Sequence, residues 1–135
     1  MGFEVQNQEE GKVASFLTTS ATAFTKNNAV KYTSGYLAAA ASGDASVDYI
    51  SMESKTSATG DGADTLLVYR VDPSVIVHAL CSTTPVQATH VGNRYDISAA
   101  GTIDLGNSTD KIFLVDRIVN ATDKIVEGRF MQQIA

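Results

Sequence analysis

An all-β fold, a compact small barrel or sandwich with one short helix and an extended N-terminal arm, is what this sequence predicts. Three observations carry the prediction. Residues 46–52 alternate polar and apolar side chains, the period of a half-buried strand. Residues 65–71 and 112–115 are continuous β-branched, aliphatic or aromatic runs, as in strands buried on both faces. Gly, Ser, Thr, Asn and Asp fill the spaces between, so turns recur every 8 to 12 residues, the spacing of a barrel or sandwich.

In chain order, residues 1–11 read as an arm. Residues 6–11 are polar and leave Phe3 and Val5 as isolated apolar side chains. Eleven extended residues reach up to ~36 Å, beyond the ~14 Å gyration radius expected of the domain. Such a segment is either a frayed end or an arm that orders on a neighbour. The first strand is expected at 12–18, followed by a Ser/Thr-rich loop over 19–28 whose Asn27-Asn28 pair turns the chain into a strand at 30–32. Ser34-Gly35 turns it again into a strand at 36–40. Its alanines do not make a helix, because Gly35 and Gly43 bracket too few residues for one. A hairpin-type turn at 42–44 leads into a strand over 45–54. Residues 57–64 form an exposed loop, and strands at 65–71 and 74–80 flank Asp72-Pro73. Thr84 as N-cap, Pro85 at the first helical position and Gly92 beyond the end predict a helix over 85–91. Strands at 94–98, 111–120 and 124–132 complete the set, so a single β-rich domain spans 12–135.

At 135 residues the chain can bury roughly two-thirds of the surface its unfolded form exposes. Its single cysteine, Cys81, excludes an intrachain disulfide and ends an apolar run, which predicts a buried core thiol. Only His78 offers a basic neighbour that would make it a nucleophile. A net charge of −5 with ten basic residues scattered singly argues against nucleic acid as a partner. No apolar run approaches the ~20 residues of a membrane span, and no signal-peptide pattern opens the chain.

Chemistry-bearing motifs are sparse. His78 and His90 have no carboxylate or cysteine at ligand spacing, and the Gly60-Asp61-Gly62-Ala63-Asp64 loop lacks the donor series of a calcium loop. No metal ligands, cofactor or catalytic residues are therefore expected, and the chain is read as a non-enzyme. Two Asn-x-Ser/Thr sites, at Asn107 and Asn120, reflect composition in a chain without a secretion signal. Tyr32, Tyr36 and Tyr49 form either a sugar-stacking strip or ordinary cross-strand packing, and the intervening turn favours packing.

The order of elements from Asn28 to Phe130 resembles small β-rich proteins of tailed bacteriophages that decorate or cement the capsid. The similarity runs through residues 29–39, 43–50, 72–79 and 91–97, and Val126-Glu127-Gly128-Arg129-Phe130 is similar to the closing strand of such proteins. The family often has Gly-Asp where this chain has Asn27-Asn28. The resemblance implies a virion structural protein bound to the outer surface of an assembled capsid, with the major capsid protein as partner. It further implies a homo-oligomer, a trimer, made in the host cytoplasm. Candidate contact residues are Phe3, Val5 and Gln6 in the arm, with Phe130 and Met131 at the closing strand. On this expectation, removing residues 1–11 leaves the domain folded and weakens capsid binding. The alternative is a receptor- or carbohydrate-binding module using the loop at 54–64.

Overall fold

Strands make up 45% of the fold and helical segments 5%, so the all-β expectation holds. A computed structural model describes residues 2–131. Met1, at the head of the expected arm, and Gln132, at the end of the expected last strand, lie outside them. In chain order the elements are β1 (Phe3–Val5), a 3-10 turn (Glu10–Lys12), β2 (Val13–Leu17), β3 (Ala23–Phe24), β4 (Ala29–Thr33), β5 (Tyr36–Ala39) and β6 (Tyr49–Ser51). There follow β7 (Lys55–Thr56), β8 (Thr65–Arg70), β9 (Val77–Cys81), α1 (Gln87–His90), β10 (Arg94–Ala99), β11 (Thr102–Asp104), β12 (Phe113–Asn120) and β13 (Ile125–Phe130).

The C-terminal strands pair in the order β9-β11-β10-β12-β13, and β13 returns to β9. The hydrogen-bonded ring thus closes into a small barrel, with β11 meeting only Leu80 and Cys81 on its side of β9. Alternation places Val77, Ala79 and Cys81 of β9 in the core with Tyr95, Ile97, Ile103, Phe113, Val115, Val126 and Phe130. β1 shares the β11 side of β9: Phe3 pairs with Ala79 and Val5 with Val77, while Thr102 and Ile103 take Leu80 and Cys81.

The N-terminal strands form a second sheet in the order β2-β8-β6-β4-β5. It curls until a bridge joins Thr18 to Leu37, with the Thr19 N–H donated to the Leu37 carbonyl at 2.9 Å. Successive residues face opposite ways. Ala29, Ile50 and Tyr69 join the barrel core, whereas Val30, Leu66 and Val68 pack with Phe24 and Leu37 in a satellite core. Burial on both faces explains why residues 65–71 read as a continuous apolar run. A shared core cluster makes the two sheets one folded unit.

Several expectations are met closely. Ser34 and Gly35 both adopt left-handed φ (51° and 87°), the two-residue hairpin turn that joins β4 to β5. A short helix appears before Gly92, whose φ is +85°. It is shorter than predicted, and Thr84 is not its cap. Val86 occupies that position, and its N–H is taken by His90 Nδ1 at 2.8 Å from the far end of the same turn. The expected strand over 45–54 contracts to β6, because the side chain of Asp44 is drawn to Lys31 and Ala41 and that of Asp48 to the Tyr32 N–H. Three short strands, β3, β7 and β11, lie in stretches where no strand is expected from the sequence.

The arm is the main correction. Residues 2–11 are fastened to the domain rather than free of it. β1 is hydrogen-bonded to β9, and Phe3 is 0% exposed. The Asn7 side chain bonds the Ser74 carbonyl and the Ile76 N–H, and the Glu9 N–H donates to the Tyr69 hydroxyl. At its end Lys12 Nζ bonds Asp72 and Ser74; the Ser74 hydroxyl and amide, with Lys12, hold the Asp72 carboxyl down at about 2. Two apolar residues cannot order such a segment alone, but the unused length of the β9 edge supplies the main-chain partners they lack.

Candidate binding surfaces

The five expected contact residues part company in the structure. Phe3 and Phe130 meet inside the core, ring centroids 5.0 Å apart, and Phe130 is only 2% exposed. Neither can touch a partner without unfolding, so both are withdrawn as contact residues: they close the barrel core. Val5 is half-buried and lines a small cavity of about 220 Å³ with Lys26, Ile50 and Met52 among its walls. Gln6 is exposed, its amide donating to the Glu4 carbonyl. Met131 is half-buried and its N–H donates to the Ile112 carbonyl at 2.7 Å.

A surface that no sequence motif marks lies on the curled sheet. Phe16 of β2, Tyr32 of β4 and Tyr49 of β6 form a cluster with centroid distances of 5.2 to 5.8 Å, the two tyrosines packed edge to face at 87°. These residues continue the face of Val30, Leu66 and Val68 outward, where the sheet no longer covers it. Tyr32 is 40% exposed. Lost solvation around the cluster, the Tyr49 hydroxyl hydrogen bond and the charge of Asp48 push the Tyr32 phenol up to about 12. Arg70 stands opposite Tyr49 in register and has no ion pair among the described residues. Such a surface can take an apolar side chain or stack against a flat ring. Of the three tyrosines weighed from sequence, two come together. Tyr36 instead sits against Gly62, where an added Cβ would lie 3.0 Å from its ring. The period-2 pattern of β2 contains Phe16, but nothing in it names the strand it will face.

Cys81 and His78 lie on opposite faces of β9, three residues apart. The thiol is 3% exposed and burial pushes it up to about 11. His78 points outward, its Nε2 3.1 Å from Glu127, which Arg117 holds at 2.9 and 3.0 Å and keeps below the usual carboxylate range. His78 therefore cannot serve as base to Cys81. The folded value of the thiol stands above its ordinary 9.0, so its contribution to stability is whole below that pH and is lost as pH rises toward 11. A thiol-reactive chromogenic disulfide at pH 8 is expected to leave the native protein unmodified over an hour and to react fully in guanidinium. Rapid reaction of native protein would contradict the burial.

Among the described residues, no group of three or more His, Cys, Asp or Glu is placed to hold a metal ion. No helix among them is long and apolar enough to cross a membrane. Compared with models of known protein families and with curated proteins, the chain matches none.

Proposed function

We propose that this chain is a decoration protein: it binds the outer surface of an assembled phage capsid, with the major capsid protein as partner, and reinforces the shell. It is proposed to work there as a closed homo-oligomer, a trimer, after assembly in the host cytoplasm. The reading draws on the resemblance of residues 28–130 to capsid-cementing proteins. The observation that carries it is the half-exposed cluster of Phe16, Tyr32 and Tyr49 beside Arg70, which has no ion pair among the described residues. Aromatic residues and arginine are the anchors that dominate protein interfaces, and a monomer gains little by exposing them together. With the arm bound into the core, the shell-binding surface moves from residues 3–6 to this sheet.

Co-sedimentation with intact capsids tests the reading. Tyr32→Ala combined with Arg70→Glu is expected to weaken binding at least tenfold, about 1.4 kcal/mol, while the melting temperature stays within a few degrees. No co-sedimentation of the unaltered protein would overturn the proposal. Equal binding by the variant would move the contact to another face. A second reading, a carbohydrate-binding module, is favoured by the exposed ring of Tyr32, with the Asp48 carboxylate at its backbone. Selective binding to a glycan array by isolated protein, lost in Tyr32→Ala, would replace the first reading with this one.

A further inference from the structure

We propose that the concavity beside the C-terminal barrel, built by Asn93, Arg94, Ser108 and Lys111, binds a doubly charged oxyanion of the phosphate type. It encloses about 580 Å³, with Gly92 and Tyr95 completing its walls, a volume within the range of small-ligand sites. The charge distribution points to the ligand. The chain carries −5 overall, and Lys12, Lys31, Lys55, Arg117 and Arg129 are each ion-paired with a carboxylate. Arg94 and Lys111 have no ion pair among the described residues, yet line one concavity together. Two cations without an ion pair among the described residues, set on one concave wall, focus a positive field toward a point outside the protein.

The two cations are not loose surface groups on mobile chain. Arg94 opens β10 and is in register with Leu114 of β12. Lys111 sits in the left-handed region at φ +55°, a conformation a non-glycine residue keeps only when its surroundings impose it. The buried carboxylate of Asp96, 1% exposed, imposes it: its Oδ1 accepts the N–H groups of Asp110 and Lys111 at 2.7 and 2.8 Å. Neither cation forms an ion pair with that carboxylate. Asn107 Oδ1 accepts the Thr109 N–H and hydroxyl, which sets the turn carrying Ser108. Asn93 is fixed by its amide bond to the Thr89 carbonyl at 2.8 Å. The planar fork of Arg94 suits two oxygens of one anion, Lys111 adds a point charge, and the Ser108 hydroxyl can donate to a third oxygen. Two cations match a dianion better than a single carboxylate. This inference is independent of the shell-binding proposal, since the two surfaces share no residue.

Two-dimensional amide NMR of the full chain, titrated with inorganic phosphate against sodium chloride of equal ionic strength, tests it. Saturable shifts confined to residues 92–95 and 108–111 are expected in phosphate. Acetate should bind at least tenfold more weakly. Arg94→Gln with Lys111→Gln should weaken phosphate binding at least tenfold, and Lys124→Gln, another cation without an ion pair among the described residues, should change nothing. Both altered side chains are exposed, and an unchanged amide spectrum elsewhere verifies the fold. Shifts that follow ionic strength alone, that spread over Lys26, Arg70 and Lys124, or that persist in the double variant would overturn the site. Acetate binding as tight as phosphate would overturn the dianion assignment.

Discussion

Gly128→Ala is expected to lower the urea midpoint by at least about 1 M, corresponding to about 3 kcal/mol at ordinary denaturant sensitivity. Gly128 lies in β13 between Val126 and Phe130, so its missing side chain would point into the barrel. A Cβ there would come within 2.0 Å of the Leu114 carbonyl oxygen and 2.6 Å of the Phe113 ring. The first atom belongs to a backbone paired in register with Arg129, and the second to a ring with 0% exposure. Neither can yield cheaply. Gly128 also pairs on both sides, with Val115 of β12 and Val77 of β9, so moving its backbone would open two seams of the closed ring at once. The reason is close approach and not backbone freedom, since Gly128 is not among the residues with positive φ. A midpoint within a few tenths molar of the unaltered protein would show that this seam is looser than described.

Phe3→Ala is expected to cost about 3–5 kcal/mol, the range for emptying a large aromatic site in a core. That is a large share of the 5–15 kcal/mol that holds a typical domain together. The Phe3 ring packs at 5.0 Å from Phe130 and 6.2 Å from Phe113, so its loss leaves a cavity bordered by two other rings that cannot both close over it. Val5→Ala, at a half-buried position of the same strand, should cost about 1 kcal/mol or less. Removing residues 1–11 should do more harm than either. It takes away β1, the ring of Phe3 and the hydrogen bonds of Asn7 and Glu9, and it bares the β9 edge. Thermal unfolding followed by circular dichroism distinguishes the cases. If the truncated chain melted within a few degrees of the full one, the arm would be the dispensable appendage that its composition suggests.

The all-β class, the hairpin turn at Ser34-Gly35, the short helix before Gly92 and the buried character of Cys81 were all legible in the chain. Each is a local property: a period of two, a residue tolerant of positive φ, a helix too short to be anything but punctuation, a thiol ending an apolar run. The strands missed, β3, β7 and β11, are two or three residues long and are strands only because a distant segment pairs with them. The same holds for the arm. Positions 3 and 79 pair in register, and no local pattern around Phe3 contains the free stretch of β9 that receives it. Of the proposed aromatic surface, Tyr32 and Tyr49 were visible as candidates and Phe16 was not, because its neighbours come from β4 and β6. Composition and alternation set which residues seek burial and which turn the chain. Which strand meets which, whether the ring closes, and therefore which apolar side chains stay exposed are decided by long-range register, where one residue of slip would exchange the buried face for the exposed one.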